Sequence, residues 1–140
     1  MSDLLATSVL AAHVRPRPDA RVLCRVRDVP DASLHVSVLT GGEIRSGVER
    51  LAPGAKRERL RVRLEVDLPG WFESRPLPVD EDVADRWGRL LAEAPRPLSA
   101  VDAPLAATAL CHGLRFVTRN VADFALGGLE VVDPRNPEGT

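Results

Sequence analysis

The chain has 140 residues, 44% of them hydrophobic and 28% charged, an ordinary composition for one globular domain that buries roughly two-thirds of its unfolded surface. Its net charge of −1 excludes a global field that would draw nucleic acid, so such affinity must come from local basic patches. No apolar run approaches a membrane span, Lys56 is the single lysine and no glycine-rich phosphate loop is present, which excludes Schiff-base and phosphate-loop chemistry unless Lys56 supplies it.

The opening MSDLLATSVLAAHVRPRP has an apolar patch with no basic residue before it, so it fails as a secretory signal and a cytoplasmic protein is expected. Asp3 to Thr7 is predicted as the first strand, followed after Ser8 by a short helical turn that Pro16 and Pro18 end. From Asp19, a capping residue type, Val22, Leu23, Val26 and Val29 recur at helical spacing until Pro30. Leu34 to Ser37 alternates as a second strand. Thr40 to Leu51 then reads as a helix with Ile44, Val48 and Leu51 inward and Glu43 in its first turn.

Residues 56–68, KRERLRVRLEVDL, carry two conflicting patterns. Leu60, Val62, Leu64, Val66 and Leu68 alternate with charges as in a half-exposed strand. A helix would set Leu60, Leu64 and Leu68 on one stripe and Val62 with Val66 on another, which suits an element packed on two sides, and a helix is the expectation here. Arg57, Arg59, Arg61 and Arg63 are interleaved with Glu58, Glu65 and Asp67, which favours a solvated face over a nucleic-acid patch. Leu77 to Val79 is a third short strand. Asp80 and a helix from Glu81 to Ala94 follow, with Val83, Trp87, Leu90 and Leu91 inward. Cys24 and Cys111 fall in predicted helices with neither CxxC spacing nor a nearby histidine pair, so reduced core thiols are expected rather than zinc or redox roles.

The remaining chain is organised around SAVDAPLAATALCHGLRFVTRNVADF, from Ser99 to Phe124. Asp102 heads a run of small residues, Ala103, Ala106, Ala107 and Ala109, that lets a helix approach a sheet closely, and Gly113 supplies its stop near His112. Leu114 to Val117 is too short for anything but a buried strand, and Thr118, Arg119, Asn120 and Asp123 gather where it emerges. Leu129 to Val132 reads as a last strand before a polar tail.

Strands separated by helices of this length imply an α/β domain with a mostly parallel sheet of four to five short strands and helices on both faces. Open sheets of this kind place their sites at the carboxyl ends of the strands. Glu43 then opens the helix after the second strand, Asp102 opens the helix before the fourth strand, Leu114 to Val117, and Asn120 with Asp123 follows that strand. Carboxylates gathered in this way repel one another and favour a hard cation, Mg²⁺ or Mn²⁺, which beside a phosphodiester would activate water and stabilise the leaving oxygen. Taken singly, the same residues also serve as a charged helix start and a polar turn.

At these motifs the sequence resembles the PIN domain, specifically the VapC toxins of type II toxin–antitoxin systems. LLATSVL is similar to the opening strand of that family, SVLTGGEIRSGVERL to its glutamate-bearing helix, and VDAPLAATALCHGLRFVTRNVADF to its closing motif. The resemblance implies a single PIN-like domain over residues 1–134 with a polar tail, 135–140. It further implies a Mg²⁺-dependent endoribonuclease that cuts RNA, a small antitoxin whose tail covers the active site, and a homodimer. Glu43 matches the family glutamate, Asp102 the family aspartate, Asn120 the fourth ligand position and Asp123 an accessory acid, with Thr118 and Ser8 as supporting polar residues. The departure is Ala6, where the family places its first aspartate ligand. Asp3 cannot replace it, being three residues earlier, roughly 10 Å along a strand and on the opposite face. Pro104 is a second oddity, tolerable only in the first turn of its helix. The competing expectation is a PIN-fold binding module that engages an antitoxin or RNA without cleavage. A phosphoacceptor receiver domain is disfavoured, since neither an acidic pair after the first strand nor a lysine after a late strand is present.

Overall fold

The computed structural model describes residues 2–13, 33–67, 76–124 and 126–135. The helix expected over residues 19–30, with Cys24, and the tail 136–140 lie outside them. Within them, β1 (Asp3–Leu5), β2 (Leu34–His35), β3 (Arg115–Val117) and β4 (Val131–Val132) form one parallel sheet in the order β2-β1-β3-β4. Leu4 lies opposite both His35 and Phe116, and Phe116 opposite Val131. As the central strands of a parallel sheet, β1 and β3 bury Leu4, Leu5, Phe116 and Val117 completely.

β1 is shorter than expected because the chain turns at Ala6. Its N–H still extends the ladder to the Val117 carbonyl at 2.9 Å, while its own carbonyl accepts from the N–H groups of Val9 and Leu10, so Thr7 already belongs to helix α1 (Thr7–His13). Helix α2 (Val38–Glu49) likewise starts early. Ser37 caps it, its hydroxyl accepting from the Leu39 N–H at 3.1 Å, and Glu43 therefore stands in the second turn. Val48 is buried and Ile44 packs on the core, while Leu51 lies beyond the helix and is half-buried.

Helix α3 (Ala55–Val62) runs into a π-helical turn, Arg63–Asp67, so the helical expectation holds for the described part of 56–68. Leu64 packs on the core, but Val62 and Val66 are exposed, and the second stripe is not covered by the described residues. The arginines pair with acids, Arg61 with Glu58 at 2.8 Å and Glu65 at 2.6 Å, Arg45 with Glu65 at 2.8 Å, and Arg57 with Glu49. Such exposed pairs contribute little individually. They do tie α3 to the helix that carries Glu43.

The third strand expected at Leu77 to Val79 reduces to one bridge between Ser37 and Leu77. Pro78 has no N–H to continue a ladder, and Asp80 caps helix α4 (Glu81–Glu93) by accepting from the Val83 N–H at 3.0 Å. Val83 and Leu90 are buried and Trp87 packs partly on the core, whereas Leu91 is 48% exposed. It is one position beyond Leu90, about 100° round the helix and off the inward stripe. Helix α5 (Asp102–Cys111) packs along α4 with Ala103, Ala106, Ala107 and Ala109 fully buried. Pro104 sits in its first turn, and Gly113 closes it with φ of 62°. Cys111, at the end of α5, is exposed rather than core. Partial desolvation and then the Asp82 carboxylate hold its thiol above the ordinary range. The last strand is Val131–Val132 alone. No helix of the described residues is long and apolar enough to cross a membrane.

At the amino-terminal edge of the sheet, the fully buried Asp3 carboxylate pairs with Arg115 at 2.8 Å. His35, on the neighbouring strand, has its pKa lowered from 6.5 by burial first and by the nearby His112, against the opposing charge of Asp3. The unfolded state thus binds this proton more tightly. Stability should be intact above the unfolded value of 6.5 and fall with pH as it drops through the depressed folded value. Thermal melts between about pH 7.5 and 5 should show this slope flattened in His35→Gln.

Candidate active site

The carboxyl ends of β1 and β3, with α2 and α5 beside them, enclose a cavity of about 200 Å³ lined by Ala6, Thr7, Ser8, Glu43, Asp102, Leu105, Thr118, Asn120 and Phe124. Parallel pairing of β1 with β3 brings Ala6 to the Val117 carbonyl, so the end of the first strand forms one wall. Thr118 is buried and hydrogen-bonded to the Val132 carbonyl at 3.0 Å through its N–H. Its hydroxyl accepts from the Asn120 N–H at 3.1 Å, which sets the turn that presents Asn120. Asp102 begins α5, and its N–H donates to the Ser99 hydroxyl at 2.9 Å. Glu43 reaches in from α2 and accepts a hydrogen bond on Oε1 from the Thr7 hydroxyl.

Glu43, Asp102 and Asn120, from three separate segments, thus share one cavity, with Ser8 and Thr118 on its walls. Asp123 does not line it. The 3₁₀ turn Val121–Phe124 places Asp123 in an adjoining depression of about 280 Å³, with Arg96, Pro97, Leu98, Ser99 and the shared Asp102. Thr7 was absent from the sequence-derived set. Its partner lies 36 residues away, and no local pattern links them.

The donors facing the cavity are all oxygens, two carboxylates, one amide and several hydroxyls, the set a hard divalent cation takes. The Ser8 Oγ is buried there without a hydrogen-bond partner, an atom left for something the cavity would hold. These residues fit Mg²⁺ in donor type but are short in charge. Among the described residues no three His, Cys, Asp or Glu side chains come together as a metal-holding group, and Ala6 occupies the wall where a further carboxylate would stand.

Neither acid is built into the core, since Glu43 is exposed and Asp102 only half-buried. Glu43→Gln and Asp102→Asn should therefore keep the fold and leave the melting temperature without divalent ions unchanged or slightly raised, by relieving carboxylate repulsion. A large loss in either variant would mark the acid as a structural partner instead.

The family model of the PIN domain matches residues 4–125. The chain is 33% identical over 134 residues to Toxin FitB of Neisseria gonorrhoeae, covering 94% of this chain and 96% of that protein. It is 29% identical over 137 residues to VapC ribonuclease Y4jK of Sinorhizobium fredii, covering 96% and 98%. Among solved structures, a chain of a toxin–antitoxin complex from Klebsiella pneumoniae superposes with a TM-score of 0.72 at 27% identity, covering 95% of this chain and 98% of that one.

Proposed function

Because the chain belongs to the PIN domain family, we propose that it is the toxin component of a type II toxin–antitoxin pair, a VapC-like, Mg²⁺-dependent endoribonuclease. The observation that carries this reading is the convergence of Glu43, Asp102 and Asn120 on one cavity at the carboxyl edge of a parallel sheet. The names of the relatives, a toxin and a VapC ribonuclease, support it. A small antitoxin as partner is supported by the complex from Klebsiella pneumoniae. A homodimer acting in the cytoplasm completes the reading.

Glu43 and Asp102 would hold Mg²⁺ through carboxylate oxygens and Asn120 through its amide oxygen. When bound, the ion supplies Lewis acidity toward a phosphodiester oxygen and lowers the pKa of water. Thr118 fixes Asn120 in place, Leu105 and Phe124 form the apolar wall, and the unpartnered Ser8 hydroxyl is free to donate to a phosphate oxygen.

Ala6 favours a second reading, a PIN-fold module that binds antitoxin or RNA without cutting. A purified sample incubated with structured RNA separates the two. The nuclease reading expects slow cleavage that requires Mg²⁺ and disappears in Asp102→Asn. Cleavage that survives in Asp102→Asn would be foreign to this cavity. No cleavage at all, with the small protein encoded by a neighbouring reading frame bound tightly, would establish the binding module.

A further inference from the structure

We infer that Thr7, backed by Thr40, is a positioning residue that holds the Glu43 carboxylate for a divalent cation. The Thr7 hydroxyl donates to Glu43 Oε1 and lies 3.0 Å from the Thr40 hydroxyl. A threonine hydroxyl carries a single proton. The Thr7 proton is committed to the carboxylate, so Thr40 must donate to Thr7, and the three groups form a directed relay from Thr40 through Thr7 to Glu43.

The two ends of that relay differ in freedom. Thr40 is fully buried in the first turn of α2, its N–H bonded to the Ser37 carbonyl at 3.0 Å. Glu43 is exposed and reaches the cavity on a side chain with three rotatable bonds. An exposed glutamate samples several rotamers and loses that freedom on binding a cation. Tying Oε1 to a hydroxyl that is itself anchored in the core removes much of that loss beforehand. The other carboxylate oxygen, Oε2, is left for the ion. Partners of this kind fix ligand orientation in metal sites, and removing one weakens metal affinity about ten- to a hundredfold. The relay also joins the first residue of α1 to the helix that bears the glutamate, so the residue beside Ala6 organises the site although Ala6 offers no ligand.

This inference rests on the metal reading above, and the experiment tests the two separately. In the metal-free protein the Thr7 hydroxyl proton should exchange slowly with water by NMR, and its protection should vanish in Glu43→Leu. Mn²⁺ affinity, measured by water-proton relaxation, should fall about tenfold or more in Thr7→Val, return in Thr7→Ser, and fall less in Thr40→Val, with melting temperatures close to that of the parent. Fast exchange of the Thr7 proton overturns the relay whatever the metal does. Equal Mn²⁺ affinity in the parent and Thr7→Val overturns the positioning role. Slow exchange with no Mn²⁺ binding by the parent upholds the relay and overturns the metal reading.

Discussion

Ala6→Asp is expected to tighten Mg²⁺ or Mn²⁺ binding by about tenfold or more and to raise Mg²⁺-dependent RNA cleavage. Hard cations are held by the number and charge of their oxygen ligands, and among the described residues that line the cavity the anions are Glu43 and Asp102. Ala6 is 4% exposed and its backbone is locked to Val117, so a side chain there extends from a rigid position at the strand end. A third carboxylate would meet the other two across the cavity. In the absence of metal it should lower the melting temperature through repulsion, and added Mn²⁺ should restore it by mass action. The measurement is calorimetric affinity and cleavage for the parent and Ala6→Asp, with Asp102→Asn as the inactive control. No gain in either assay, with a parent that does not cleave, would show that a carboxylate at position 6 does not reach the ion. If the parent already cleaves at a rate that Asp102→Asn abolishes and Ala6→Asp does not improve, two carboxylates suffice.

Arg115→Leu is expected to cost about 3 kcal/mol of stability, because it leaves the fully buried Asp3 carboxylate with one positive partner fewer in a low-dielectric setting. At this chain length that is a fall of roughly 10 °C in melting temperature. The double variant Asp3→Leu, Arg115→Leu should recover most of the loss, since the buried carboxylate is then removed together with its partner. The pair lies at the amino-terminal edge of the sheet, opposite the cavity, so metal affinity should not change in the double variant. Equal stabilities for the parent and Arg115→Leu would show that the pair contributes nothing net.

Elements whose signals are local were legible in the sequence. The small-residue helix headed by Asp102 and closed by Gly113, the cap at Asp80, and the helix after it follow from short-range rules of capping and periodicity. The helix over 55–62 was legible only by setting its two stripes against a strict alternation. Strand lengths were not legible. Leu77 failed to become a strand because Pro78 and the Asp80 cap cut it off, and β1 ended early because the Ala6 carbonyl turned to serve Val9 and Leu10. These outcomes depend on which backbone groups find partners elsewhere.

The alternation of short strands with helices determined the parallel α/β class, and that topology put Glu43, Asp102, Asn120 and Asp123 near strand ends, while their reading as a ligand set came from the resemblance to the PIN domain. Only the tertiary structure decided how those residues meet. It set Asp123, within a 3₁₀ turn, in the depression that adjoins the cavity and shares Asp102 with it. It buried Asp3 against Arg115, 112 residues away. It also drew Thr7 and Thr40 behind Glu43. The last two are side-chain contacts between segments distant in sequence, and they exist only once the strands are paired and the helices packed, so no short stretch of sequence signals them.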